Sequence, residues 1–345
     1  MRGFPFLAAA LLALPLQAQE VQRIPGGDVA IYNLAGRVQV TRGAGNDVVV
    51  RITRGGADAD QLRIETGEVR GRETLRIIYP ADEIVYPDMG RGSSTSTQVR
   101  SDGTFSDGGG GRGGRVRIRG SGSGLEAWAD LAIEVPPGRS LAVYLATGRA
   151  EAAGIEGDLL IDTGSGDVLA SDVTGSLEVD TGSGQIDVRG VEGDLIVDTG
   201  SGRVDASSVV GSQVTLDTGS GPITAVDIRA DLLRVDTGSG QIELEGIASQ
   251  DVVVDTGSGS VDVELLTDVE RLSVDTGSGA VTVRVGADLG ARVRIETGSG
   301  GIDLDFPVEV RSVRRNRLDG VVGDGRGEIE IDTGSGSVRL LRIAN

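Results

Sequence analysis

Along the C-terminal two thirds of the chain, apolar residues come in pairs two positions apart, and the pairs recur at a nearly constant interval. Leu159 and Ile161, Leu177 and Val179, and Leu195 and Val197 precede an acidic residue; Val168 and Ala170, Ile186 and Val188, and Val204 and Ala206 follow it. A spacing of two is the repeat of a β-strand with one buried face. The positions between them are mostly polar, as at Glu178, Asp187, Arg234 and Glu243, so the opposite face meets water. Between each leading and trailing pair stands the same pentapeptide, Asp-Thr-Gly-Ser-Gly. It begins at Asp162, Asp180, Asp198, Asp217, Asp236, Asp255, Asp275 and Asp332, with a glutamate variant at Glu296. The steps are 18, 18, 19, 19, 19, 20, 21 and 36 residues, the last being two periods long across PVEVRSVRRNRLDGVVGDGRG. A degenerate copy, Leu145 to Gly148, can open the series.

Two architectures satisfy this pattern. The pentapeptide could be the loop of a hairpin, or it could be a corner of a solenoid whose equivalent strands pair in parallel, one coil above the next. Only the solenoid explains why Asp, Thr and Ser recur along with the apolar residues, since like side chains then stack about 4.8 Å apart. The sequence therefore predicts an all-β protein, a parallel β-solenoid (β-helix) of 18–21-residue coils, with right-handed winding favoured over left. The nine acids form a ladder at the turns. Each is expected to close its corner by accepting backbone N–H groups, because like charges at this spacing repel by about 1 kcal/mol per neighbour even in water. Calcium held between adjacent corners is the alternative compensation.

The remaining chain divides by composition. Residues 1–18 have a basic start at Arg2, an apolar run and Ala18 at a cleavage position, the pattern of a signal peptide. Residues 19–89 read as short strands. Residues 90–124 are rich in Gly, Ser and Arg and nearly free of apolar side chains, which predicts a flexible insert. Residues 125–345 form the repeat array.

The opening IYNLAGRVQVTRG, the phrase IEVPPGRSLAV and the serial DTGSG copies resemble the bacterial "putative adhesin" family of β-strand-repeat proteins. The resemblance implies an exported β-repeat protein of undefined biochemical role. The insert and the Arg-rich break near residue 315 depart from a plain member.

Composition narrows the chemistry. The chain is 38% hydrophobic but only 3% aromatic, so small aliphatics must build its core. It contains no His, no Cys and no Lys. This removes imidazole and thiol nucleophiles, Schiff-base lysines and His/Cys zinc sites. The DTGSG motif resembles an aspartic-protease signature, but such enzymes use two loops whose carboxylates share a proton, and a motif repeated nine times serves the geometry of every coil. No catalytic residue and no cofactor are expected. A net charge of −19 argues against nucleic acid as a partner, and no membrane span is expected after residue 18. The expected function is that of a non-catalytic exported protein, adhesin-like or scaffolding, in the periplasm, at the cell surface or outside the cell, binding a surface, glycan or envelope protein. The alternatives are an envelope-stress or sensor-associated protein and a carbohydrate-active β-helix enzyme. Arg311, Arg314, Arg315 and Arg317 are expected in a solvated loop capping the last coil, with contact to an anionic envelope component as the rival role.

Overall fold

A computed structural model describes residues 19–108, 113–314 and 316–343. The signal peptide expected at residues 1–18, residues 109–112 of the insert and Arg315 lie outside the described residues.

Each repeat forms two strands joined by the pentapeptide corner. In one coil these are Leu159–Thr163 and Val168–Thr174. The first strand stacks in parallel on Leu177–Thr181, with Ile161 opposite Val179 and Asp162 opposite Asp180. The second stacks on Ile186–Glu192, with Val168 opposite Ile186. Repetition of this register builds a front sheet from the strands ahead of each corner and a back sheet from those after it. The apolar columns face one another between the sheets, and Leu159, Ile161, Val168 and Ala170 are all buried. The solenoid prediction holds. The pentapeptide is a corner between stacked coils, and the sheets have the parallel register that a hairpin array would lack.

The back strand bends once more. Asp172, Gly190, Ser208, Asp227 and Gly246 each stand ten residues after the acid, and all adopt φ between 54° and 69°. Short polar side chains and glycine are the residues that tolerate this left-handed conformation. The residue that follows, Val173, Val191, Val209, Ile228 or Ile247, is buried. The corner thus turns a third apolar column inward and gives the coil a short third side.

Order along the rod departs from order along the chain at both ends. The strand Gly327–Thr333, which carries Asp332, lies between Arg271–Thr276 and Ala291–Thr297. Its companion Val338–Arg342 lies between Val281–Val285 and Ile302–Leu304. The last coil in sequence is therefore inserted beneath the one before it. At the other end, Asp28–Ala35 is sandwiched between Ser140–Thr147 and Arg72–Ile78. Val38–Arg42 lies between Ala150–Glu156 and Trp128–Val135. Residues 19–89 and 125–345 consequently share one continuous stack, and the sequence boundary between them is not a structural one.

The flexible insert expected at residues 90–124 is corrected by the structure. Ser94–Arg100 and Gly113–Arg119 pair antiparallel, and Glu83–Val85 and Leu125–Glu126 complete a four-stranded sheet. Val116, Ile118 and Phe105 are buried. The composition was misleading because these few apolar residues pack against Tyr32 and the array, so they need no core of their own; Phe105 meets the Tyr32 ring edge-on at 5.8 Å.

The Arg-rich break is corrected likewise. It forms two strands, Glu309–Arg314 and Arg317–Val322, paired with each other, and the second pairs antiparallel with Ala291–Thr297. The hairpin extends the front sheet beyond its last parallel strand, at the rod end where a cap was expected.

Candidate functional site

The front sheet presents its polar face outward, and the ladder acids all lie on it. The order along the rod is Asp162, Asp180, Asp198, Asp217, Asp236, Asp255, Asp275, Asp332 and Glu296, each directly in register with the next. At the strand spacing, eight steps span about 38 Å. One end of the rank abuts tyrosines: Tyr144 is in register with Asp162 and Tyr32 with Tyr144. Their rings stack at 4.7 Å with 9° between planes. Tyr32 donates its hydroxyl to Asp107 at 2.8 Å, and Asp107 is also held by Arg70 and Arg100. At the opposite end Arg317 pairs with Glu296 at 3.2 Å.

The ladder acids do not close the corners, contrary to expectation. Their side chains leave the sheet on the solvent side, because the strand alternation that buries Ile161 and Thr163 turns Asp162 outward. The corner is held by the neighbouring residues. The Thr side chains are buried and donate across coils: Thr237 to the Gly221 carbonyl at 3.1 Å and Thr333 to that of Gly279 at 3.1 Å. Thr163 instead donates to Thr181 at 2.8 Å. Backbone N–H groups link successive corners, Gly182 to the Thr163 carbonyl at 3.0 Å and Gly184 to that of Ser201 at 3.1 Å. The two glycines are required by close approach. A Cβ on Gly182 would lie 2.5 Å from the Gly164 carbonyl oxygen, and one on Gly202 would come closer still to that of Gly184.

Backbone capture of carboxylates does occur, at other acids. Asp158 accepts the Ser176 N–H, Asp167 that of Gln185 and Asp194 that of Ser212, each at 3.0 Å from the next coil. These aspartates, the left-handed corner and the third apolar column were missed in the sequence. Their signal was a fixed offset from the pentapeptide, weakened because Gly, Asp and Ser alternate at the corner.

The electrostatic consequence is plain along the rank. Burial, together with Asp180, Glu178 and Asp107, pushes the Asp162 carboxyl from its ordinary 3.8 up to about 7. Asp180, Asp217 and Asp275 are also raised, first by burial and then by neighbouring acids: Asp198 and Glu178 for Asp180, and the carboxylates of the coils above and below for Asp217 and Asp275. Arg234 approaches Asp236 at 3.9 Å. Among the described residues no group of three or more acidic side chains converges in a way that could hold a metal ion.

Stacked parallel coils, glycine-built corners and an outward acidic rank define a β-solenoid of the repeat-array class. Residues 171–341, most of the repeat array, match the model of the Toastrack DUF4097 family. No curated protein matches the chain. Among solved structures, a "putative cell adhesion protein" from Clostridium sporogenes is 12% identical over 94% of this chain and 99% of that one, with a TM-score of 0.23. A "putative adhesin" from Bacteroides fragilis is 10% identical over 95% and 99%, with a TM-score of 0.35. Another from Parabacteroides merdae is 9% identical over 94% and 96%, with a TM-score of 0.39.

Proposed function

We infer that the protein is a non-catalytic, exported β-solenoid that works as an adhesin-like or scaffolding element of the bacterial cell envelope, with the acidic rank of the front sheet as its contact surface. The in-register rank carries this reading. Regularly spaced carboxylates on one flat face offer many weak, identical contacts, and such contacts gain strength by multivalency against a repeating cationic partner. Among the described residues, Asp236 and Glu296 are the members of the rank with an arginine partner, so the others offer charge for a partner to neutralise. The repetition also argues against catalysis, which needs one position unlike its neighbours. Export rests on the pattern of residues 1–18.

The test is binding of the purified protein to immobilised envelope fractions across a salt series. Replacing Asp198, Asp217, Asp236 and Asp255 together by Asn should weaken binding at least tenfold and flatten its salt dependence. Unchanged binding by a folded variant would remove the rank from the contact surface. Recovery of the whole chain, uncleaved, in the cytoplasm would remove the envelope role.

A further inference from the structure

The two ends of the front sheet are formed by antiparallel hairpins, and the C-terminal one is unusual in its outermost strand. Glu309–Arg314 is exposed along its whole length, and among the described residues its only ladder partner is Arg317–Val322. The other edge therefore carries free N–H and carbonyl groups. An irregularity between Val310 and Ser312 resets the strand so that Val310 lies opposite Gly320 and Val313 opposite Leu318. Leu318 is buried in the interior, so both valines fall on the core-facing side of the sheet. The back sheet ends in the three-residue strand Ile302–Leu304. Val310 and Val313 are left 50% and 66% exposed, the latter the most exposed large apolar side chain among the described residues. Glu309 and Arg314 lie opposite Val321 and Arg317, on the outer side.

We propose that this edge is a self-association surface, and that two copies of the chain pair through Glu309–Arg314 in an antiparallel, two-fold symmetric contact. The sequence EVRSVR is complementary to its own reverse. Centring the axis between Arg311 and Ser312 sets Glu309 against the partner's Arg314 and Val310 against the partner's Val313, each pair occurring twice. Because both strands carry the same irregularity, the valines of both copies remain on the core side and the charges on the solvent side. An isologous contact of this kind closes on itself. It joins two front sheets end to end, satisfies the free edge and covers the exposed valines.

The alternative, a head-to-tail contact with the opposite edge strand Arg63–Val69, is less well matched. The antiparallel register that sets Arg311 against Glu68 and Arg314 against Glu65 also sets Val310 against Val69. Val69 shares a side with Arg63 and Glu65, opposite to the side of Ile64 and Thr66 that lies over the buried Ile77 and Leu75. That contact would also propagate into a filament.

Sedimentation of the purified protein at tens of micromolar should give a discrete dimer. Arg314→Glu, which sets two glutamates against each other twice, should raise the dissociation constant at least tenfold. Adding Glu309→Arg to that variant should restore the dimer. The chain contains no cysteine, so single Val310→Cys and Val313→Cys proteins each carry one thiol. Under oxidation an equal mixture of the two should give a cross-linked heterodimer several-fold more abundant than the homodimers either gives alone. A monomer at every concentration, species larger than a dimer, or cross-linking no greater in the mixture than in the single proteins would overturn the proposal. The cysteine pair decides the matter even if the charge variants fail to fold.

Discussion

At the residue scale, strand alternation divides the Asp and Thr of the pentapeptide between two environments. The threonine enters the core and supplies inter-coil hydrogen bonds, while the aspartate beside it meets solvent and the next carboxylate. Asp162 feels this most, because the loop bearing Asp107 covers that end of the rank, and its carboxyl titrates near 7. A carboxyl raised in the folded state binds its proton more tightly there than in the unfolded chain. Its contribution to stability is therefore full below the ordinary aspartate range and is lost as pH rises through about 7. The raised Asp180, Asp217 and Asp275 act in the same direction. The midpoint of thermal unfolding should accordingly rise by about 2–4 °C between pH 7.5 and pH 5, and Asp162→Asn should flatten much of that rise. A midpoint that falls over this interval in the parent protein would mean that the acids are compensated.

At the element scale, the sheet built from residues 83–126 shows how a segment poor in apolar residues can be ordered. Phe105 is 1% exposed, and its ring meets a tyrosine of the array. Phe105→Ala should cost about 3–5 kcal/mol, measured by denaturant unfolding, and should release the loop from the N-terminal end of the acidic rank. A change below about 0.5 kcal/mol, normal for an exposed site, would indicate that the loop does not pack there. The strands of the array were legible because each carries the period-two pattern many times in the same phase. The strands of the insert were not, because Ser94–Arg100 and Gly113–Arg119 gain their partners from each other and their burial from a different part of the chain. The hairpin at Glu309–Val322 was hidden for a related reason: its arginines suggest a solvated loop, and its strand character comes from lying alongside Ala291–Thr297.

At the scale of the whole molecule, intercalation of the terminal coils ties the ends of the chain into the stack. In a simple solenoid the last coil touches one neighbour and can be removed with little consequence beyond it. Here the coil of Gly327–Thr333 and Val338–Arg342 touches two, the one built on Asp275 and the one built on Glu296. Deleting residues 327–345 should therefore strip Ala291–Thr297 of its parallel partner as well. Hydrogen exchange should then show protection lost from about residue 271 onward. Protection lost only near the cut, with residues 291–304 unaffected, would mean that the coils can close the gap.

The sequence alone determined the local rule. A period-two apolar pattern, repeated in phase around a glycine-rich corner, can bury its columns only if equivalent strands stack, and this sufficed for the all-β class, the parallel pairing, the corner and the alignment of the acids. The tertiary structure decided what depends on contacts between distant segments. The intercalation of the terminal coils, the burial of Phe105 from an insert of polar composition against the array and the placing of the Arg-rich strand at a free edge all arise from such contacts. A repeat pattern specifies what each coil does to its neighbour and leaves open which segment becomes the neighbour at an end. That choice falls to whichever strands can satisfy the last open edge.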